Sequence, residues 1–278
     1  MVWGAVEAPW RAVATLALLG ACGRIGFDGN LAAEQAKPDA STLDADPTID
    51  APIGTGSYAI TESSAPYALL DGADIVPGFT SGADDEIYEL ALPFSFTYYG
   101  IPFAKISIDM NGYVAFGATS APPETYQNDC SLDTSGPDAL IAVFWDDLFA
   151  SQAVMPFGTL RYAITGTTPT RAVEIEWHDV DAYYRAGGGN NYFSQGIRIT
   201  QKIVLHESGV IDLHYGPRTA SSTAKDCGVE RHVGCSATVG LRAPSSAVLQ
   251  TVQCGTETGF AAGAAPLVEG RLITFTPL

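Results

Sequence analysis

The stretch GIRITQKIVLHESGVIDLHYG, residues 196–216, decides the fold that this sequence predicts. In its first half, apolar side chains occupy one face of an extended chain: Ile197, Ile199, Ile203 and Leu205. A period of two is typical of a β-strand with one buried face. The alternation resumes in VIDLHYG, after a turn at Glu207, Ser208 and Gly209. The two runs therefore predict a β-hairpin.

The same period recurs along residues 57–278. In RAVEIEW, residues 171–177, the apolar side chains point one way while Glu174 and Glu176 point the other, toward solvent. Further strands are predicted at residues 94–99, 105–109, 113–116, 140–145, 159–165, 237–242 and 271–276. The dipeptide Asn111-Gly112 between two of them predicts a type I′ turn. About ten strands separated by Gly, Pro and Asn predict an all-β antiparallel sandwich.

The N-terminal residues carry the features of an export signal. The apolar run AVATLALLGA, residues 12–21, is about ten residues long, and a membrane-spanning helix needs roughly twenty. Arg11 before the run and small residues at its end predict a signal peptide over residues 1–21. Leu19-Gly20-Ala21-Cys22 resembles the lipobox of bacterial lipoproteins, which implies that Cys22 is acylated. The alternatives are a plain signal peptide with a chance cysteine, or a start codon placed too early.

The resemblance to lipoproteins also implies a location. Gly23 follows the cysteine where an inner-membrane retention signal would have aspartate, which favours the outer membrane or cell surface. Residues 22–56 are acidic and proline-containing and have no aromatic residue after Phe27. Such a stretch buries too little apolar surface to offset the entropy of ordering it, so we expect a disordered linker between the lipid anchor and the domain.

The domain at residues 57–278 has 24 acidic and 11 basic residues. This balance argues against nucleic acid as a partner, and leaves the lipid anchor as the predicted contact with the membrane. An even number of cysteines in an exported domain predicts two disulfides. The four are Cys130, Cys227, Cys235 and Cys254. Pairing of Cys227 with Cys235 would leave Cys130 for Cys254, while Cys235 with Cys254 is a comparable alternative.

Several segments, in this order, resemble the nidogen-like (NIDO-like) modules of bacterial surface and secreted proteins. They are LPFSFTYYG, IDMNGYVAFG, LIAVFWDDL, RAVEIEWHDV, IVLHESGVIDLHYG, ATVGL and EGRLITFTP. The likeness spans about residues 67–277. It implies an extracellular β-sandwich used for adhesion or scaffolding, and it brings no catalytic set onto this chain. The insertion at residues 119–137, which holds Cys130, departs from the family pattern.

No common catalytic or metal-binding motif is present in the chain. His206 and His214 fall on the polar face of the predicted hairpin, where they are interpreted as solvated side chains. Asp146 and Asp147, with Asp109, are weak candidates for a calcium site, because calcium prefers clustered oxygen ligands. Adjacent strand residues point to opposite faces, so a structural role is preferred for the two neighbouring acids. We therefore expect no cofactor, with Ca²⁺ as the weaker alternative.

The segment YYRAGGGNNYF, residues 183–193, is the best sequence candidate for a binding surface. Its Gly/Asn tip is bounded by aromatic residues and one cation: Tyr183, Tyr184, Arg185, Tyr192 and Phe193. Aromatics on a loop held by a rigid scaffold can contact a partner, although they can also pack back onto the sheet. The predicted function is a non-enzymatic, lipid-anchored surface module that binds a protein or polysaccharide of the envelope or extracellular matrix. The alternative is an envelope hydrolase or metal-dependent enzyme with a site built from loops.

Overall fold

The structure of the protein is a computed structural model. Its described residues lie in one unit, Thr48–Leu278. They are residues 56–117, 126, 128, 130, 139–152, 157–185, 192–194, 196–221, 228–244, 248–256, 259–260 and 264–278. The predicted signal peptide, Cys22 and all of the acidic linker except Gly56 lie outside the described residues. Within the described part, no helix is long and apolar enough to cross a membrane.

Two antiparallel sheets make up the domain, which confirms the predicted all-β sandwich. The described strands are β1 Tyr58–Ser64, β2 Asp74–Ile75, β3 Ile87–Tyr98, β4 Ile101–Asp109, β5 Tyr113–Ala115, β6 Leu140–Trp145, β7 Leu148–Phe149, β8 Thr159–Thr165, β9 Ala172–Arg185, β10 Tyr192–Ser194, β11 Arg198–His206, β12 Ile211–Thr219, β13 Thr238–Arg242, β14 Leu249–Thr256, β15 Gly259–Phe260 and β16 Arg271–Pro277. A short 3₁₀ turn, Gly228–Val233, precedes β13.

The first sheet has the order β1-β16-β12-β11-β9-β8-β2, with β7 and β10 also paired to β9. The second has the order β15-β14-β13-β6-β5-β4-β3. The described part thus has more than the ten strands predicted. The additional ones are short, such as β2 and β7, or mainly polar, such as β14, so their apolar alternation is too weak to recognise.

The core between the sheets contains the apolar faces that the period of two predicted. Ile175, Trp177, Ile203, Leu213 and other side chains of β9, β11 and β12 are fully buried. Two long side chains also bond across the core, because a buried polar tip needs a partner. The Trp177 indole N–H donates to the Asp109 carbonyl at 3.1 Å, and the Tyr215 hydroxyl donates to the Val143 carbonyl at 2.9 Å.

Part of the outer face of the first sheet is covered, contrary to the prediction that its polar side chains meet solvent. Tyr67 donates to Glu176 at 2.8 Å, and the Lys202 ammonium donates to the Ala68 carbonyl at 2.9 Å. Glu176 and Lys202 are consequently buried. His214 lies against the Tyr67 ring and is also buried, so it is not the solvated imidazole predicted. These side chains are buried because the segment after β1 packs on this face of the sheet. A local alternation pattern cannot predict such a contact between distant parts of the chain.

The turn between β4 and β5 also differs from the prediction. Asp109 pairs with Tyr113, so the loop has three residues rather than the two of a type I′ turn. Of these three, Gly112 has a positive φ of 86°. Asn111 has an ordinary backbone conformation without a positive φ, and its side chain takes part in the site described next.

Candidate functional site

An acidic cavity of about 310 Å³ is the candidate site considered for this protein. Its described lining is Asp84, Asp85, Tyr126, Asp147 and Tyr183. Asp84 and Asp85 precede β3, Asp147 lies between β6 and β7, and Tyr183 belongs to β9. Three carboxyl groups and two tyrosines from distant parts of the chain therefore surround one space.

Asn111 joins two of the segments that form this cavity. Its side-chain amide donates to Asp85 at 3.0 Å, and its side-chain oxygen accepts from the Leu148 backbone N–H at 2.9 Å. Its own backbone N–H donates to Asp109 at 2.8 Å. Asn111 is fully buried, and its bonds to Leu148 and Asp109 are shielded from water. Its partly buried bond to the exposed Asp85 holds that residue near the connection that carries Asp147.

Asp146 and Asp147 lie in the two-residue connection between β6 and β7 and have different surroundings. Asp146 is buried and pairs with the Arg231 guanidinium at 2.8 Å. It also accepts hydrogen bonds from the Ser236 hydroxyl and the Asp147 backbone N–H. Its role is structural, whereas the Asp147 side chain lines the cavity.

The insertion that departs from the family pattern contributes the tyrosine at position 126. Asn128 donates to Thr238 at 3.1 Å, and Cys130 forms a disulfide with Cys254 of β14. These bonds attach the insertion to β13 and β14. The Cys130–Cys254 pairing is one of the two that the sequence left open. Cys235 is also in a disulfide, and Cys227 lies outside the described residues.

Burial and mutual repulsion govern the charge of the cavity. Burial, followed by repulsion from Asp85 and Glu86, raises the pKa of Asp84 to about 7. Burial, followed by repulsion from neighbouring carboxylates including Asp146 and Asp84, raises the pKa of Asp147 to about 7. No lysine or arginine is among the described lining residues. A cationic group that entered the cavity would relieve this repulsion.

The predicted binding segment at residues 183–193 is only partly described. Tyr183 stacks on Phe149 with a ring separation of 3.8 Å and also faces the cavity. The backbones of β9 and β10 form a hairpin that pairs Arg185 with Tyr192 and Tyr184 with Phe193. The side chains of these four residues lie outside the described part.

The structure does not bring the weak calcium candidates together as a chelating set. Asp146 is engaged by Arg231, and one oxygen of the buried Asp109 accepts from the Asn111 backbone. Within the described residues, no group of three or more His, Cys, Asp or Glu side chains is arranged to hold a metal ion. Of the three, Asp147 reaches the cavity.

Asp147→Asn should stabilise the protein at high pH. The carboxyl group titrates near 4 in an unfolded chain and at about 7 in the folded one. The folded state therefore binds more protons between these values, and the free energy of unfolding falls as pH rises through this window. We expect the variant to be more stable than the wild type by about 1 kcal/mol at pH 8, allowing for screening by water, and nearly equal at pH 4.

Urea unfolding at the two pH values measures this difference. Glu89→Gln is the control, because it changes a carboxylate of an exposed ion pair with Lys105 and should have little effect at either pH. A variant that is less stable than the wild type at pH 8 would show that the Asp147 charge is favourable.

Sequence reasoning identified Asp147 and Tyr183 but missed Asp84, Asp85 and Tyr126. The run Asp84-Asp85-Glu86 before β3 is a visible acidic feature. It has no spacing that identifies a site, and its partners in the cavity lie at least 41 positions away along the chain. Their proximity follows from the sandwich topology.

The architecture and cavity define an antiparallel β-sandwich with a small acidic site near one strand end. The family model described as "NIDO related" matches residues 57–277. The chain therefore belongs to the NIDO-related family, and this membership indicates a binding module of the extracellular type. Neither the curated proteins nor the solved structures gave a match.

Proposed function

We propose that this chain is a non-enzymatic, lipid-anchored module of the outer membrane or cell surface. It binds a protein or polysaccharide of the envelope or extracellular matrix. Two observations support the proposal: the NIDO-related match over residues 57–277 and the lipobox-like residues 19–22. Acylation of Cys22 would attach the chain to the membrane, and the acidic linker would extend the domain away from the surface.

The acidic cavity is the proposed contact with the partner, and it is the observation that carries the binding function. Carboxylates attract a positive charge, and a tyrosine ring can add a cation–π contact. Stacking on Phe149 holds the Tyr183 ring in place before a partner arrives. The cavity therefore fits a cationic group exposed on a protein or on an amino-bearing polysaccharide. No cofactor is needed for this contact.

A binding measurement with the full chain tests the proposal. Cys22→Ser removes the proposed acyl acceptor, so the labelled chain can be titrated in solution onto isolated cell envelopes. We expect saturable binding that becomes at least about tenfold weaker when Asp147→Asn and Tyr183→Leu are combined, because both the charge and the ring are lost. Co-sedimentation with the envelopes measures the bound fraction.

Ile164→Thr is the matched control, since Ile164 is exposed on β8 and does not line the cavity. It should bind as the parent chain does. Titration with added CaCl₂ tests the calcium alternative, which predicts binding that requires the ion. Equal binding by the parent and the cavity double variant would overturn the assignment of the site.

An envelope hydrolase is the second candidate function, and one observation favours it. Asp84 and Asp147 both have a pKa of about 7, in the range that suits general acid–base catalysis at neutral pH. Incubation of the Cys22→Ser chain with the same envelopes distinguishes the two. Soluble fragments that appear with the parent and not with Asp147→Asn would favour the enzyme.

A further inference from the structure

In the described part of the chain, the two sheets end in four strands, and three of these strands have features that discourage pairing with another chain. β2 and β15 are two residues long, and β3 contains Pro93 and an interrupted register between Ala91 and Phe96. Short strands, prolines and irregular register are the usual protections of a sheet edge. β1 has none of them. Its seven residues, YAITESS, pair with β16 in continuous register and include neither proline nor lysine.

The hydrogen bonds at both ends of β1 show which backbone groups point away from the sheet. Ala65 N–H donates to Gly270 at 2.8 Å, and Leu278 N–H donates to Ser57 at 2.9 Å. Because bonded pairs recur at every second residue of an antiparallel ladder, the odd-numbered residues of β1 face β16. The outward groups are those of residues 58, 60, 62 and 64.

One of these outward groups is already engaged. The Tyr58 carbonyl accepts from the Gln250 side chain at 2.7 Å, which agrees with its outward direction. Within the described part, no hydrogen bond is found for the backbone of Ile60, Glu62 or Ser64, and all three residues are exposed. The second half of β1 therefore offers N–H and C=O groups in the spacing of a strand.

The side chains along this edge would accept a neighbouring strand. Ile60 is 40% exposed and offers an apolar contact. The Glu62 carboxylate is bound by Arg271 at 2.9 Å, so its charge is largely compensated on its own sheet. Neither side chain opposes the approach of another backbone.

The net negative charge of the domain favours a basic segment over a second copy of this chain as the occupant of the β1 edge. A second copy would bring another domain with 24 acidic and 11 basic residues, and the two would repel each other. A basic segment would be attracted by the same excess. We propose that β1 binds an extended, basic segment of a partner protein by adding it as a strand outside Ile60, Glu62 and Ser64. Main-chain bonds would give affinity, as in other cases of strand addition.

A peptide of about seven residues that alternates lysine and valine is the probe, titrated onto the full Cys22→Ser chain and followed by fluorescence anisotropy. The control peptide has the same sequence and charge but is N-methylated at every residue, which removes the donors of both of its edges. We expect the control to bind at least about tenfold more weakly. Equal binding of the two peptides would show attraction by charge alone and overturn the proposal.

Ile60→Pro removes an outward N–H without removing a bond to β16, so the sheet should tolerate it. The variant should lose binding at least about tenfold, whereas Ile60→Val should retain it. Ile164→Thr, which is exposed on β8, should also retain it, and a comparable loss caused by Asp147→Asn would assign the probe to the acidic cavity and overturn the proposal. Unchanged binding by a folded Ile60→Pro chain would contradict strand addition.

Hydrogen exchange on the unaltered edge gives a readout that does not depend on a variant. The amides of Ile60 and Glu62 should exchange rapidly in the free chain and become protected by the probe, while the inward amide of Thr61 should be protected in both states. Absence of new protection would overturn the proposal. A dimer of the Cys22→Ser chain that Ile60→Pro dissociates would assign the edge to a second copy instead.

Discussion

Arg231→Met should lower the free energy of unfolding by about 3–5 kcal/mol, because it leaves a buried carboxylate without its cation. The Arg231 and Asp146 side chains are 5% and 4% exposed, and their charged atoms are 2.8 Å apart. Water cannot replace the lost partner at such burial. Urea unfolding followed by the fluorescence of the buried Trp145 and Trp177 measures the loss.

Two controls separate the charge from the loss of packing. Lys105→Met breaks an exposed pair with Glu89 and should cost less than about 1 kcal/mol. Adding Asp146→Asn to Arg231→Met should recover part of the stability, since the unpaired charge is then removed. If Arg231→Met costs no more than Lys105→Met, the buried pair does not stabilise the fold as argued.

Gly112→Ala should also be strongly destabilising, by about 3–5 kcal/mol, because both its backbone conformation and its surroundings exclude a side chain. A β-carbon at this position would lie 2.1 Å from the carbonyl oxygen of Phe144, and φ is +86°. The clashing atoms belong to the β6 backbone, which cannot move without disturbing the sheet. The same unfolding experiment measures the effect.

Gly117→Ala separates the two causes. Gly117 has a similar φ of +90°, but an added β-carbon would meet no atom of the described residues within 4 Å. It should therefore cost only about 1 kcal/mol, the effect of the backbone conformation alone. Equal losses for the two variants would mean that the close approach to Phe144 relaxes freely.

Local alternation was sufficient to predict the fold class because β9, β11 and β12 each bury one complete apolar face. It failed where burial depends on distant segments. Glu176 and Lys202 have the polar alternation of a solvent-facing surface, yet Tyr67 and Ala68 cover them. A period of two reports which side chains share a face, and it carries no information on what lies above that face.

The candidate site shows the same limit. Asp147 is recognisable as an acid at a strand end, but its neighbours Asp84 and Tyr126 come from loops that no motif connects to it. The dipeptide Asn111-Gly112 predicts a turn residue at Asn111, because Asn-Gly favours type I′ turns. Its more specific role, bonding to Asp85 and Leu148, depends on side-chain geometry across about 26 to 37 positions of chain.

The place of β16 in the first sheet has a consequence for how the chain matures. β1 emerges early in synthesis, yet its described ladder partner is β16, which is made more than 200 residues later. β12 also pairs with β16 along one of its sides, so this side has no ladder partner until β16 is made. Such distant pairing is slow to form. The first sheet thus stays incomplete until β16 has been synthesised, so a chain that stops before β16 leaves β1 and one side of β12 without their ladder partner.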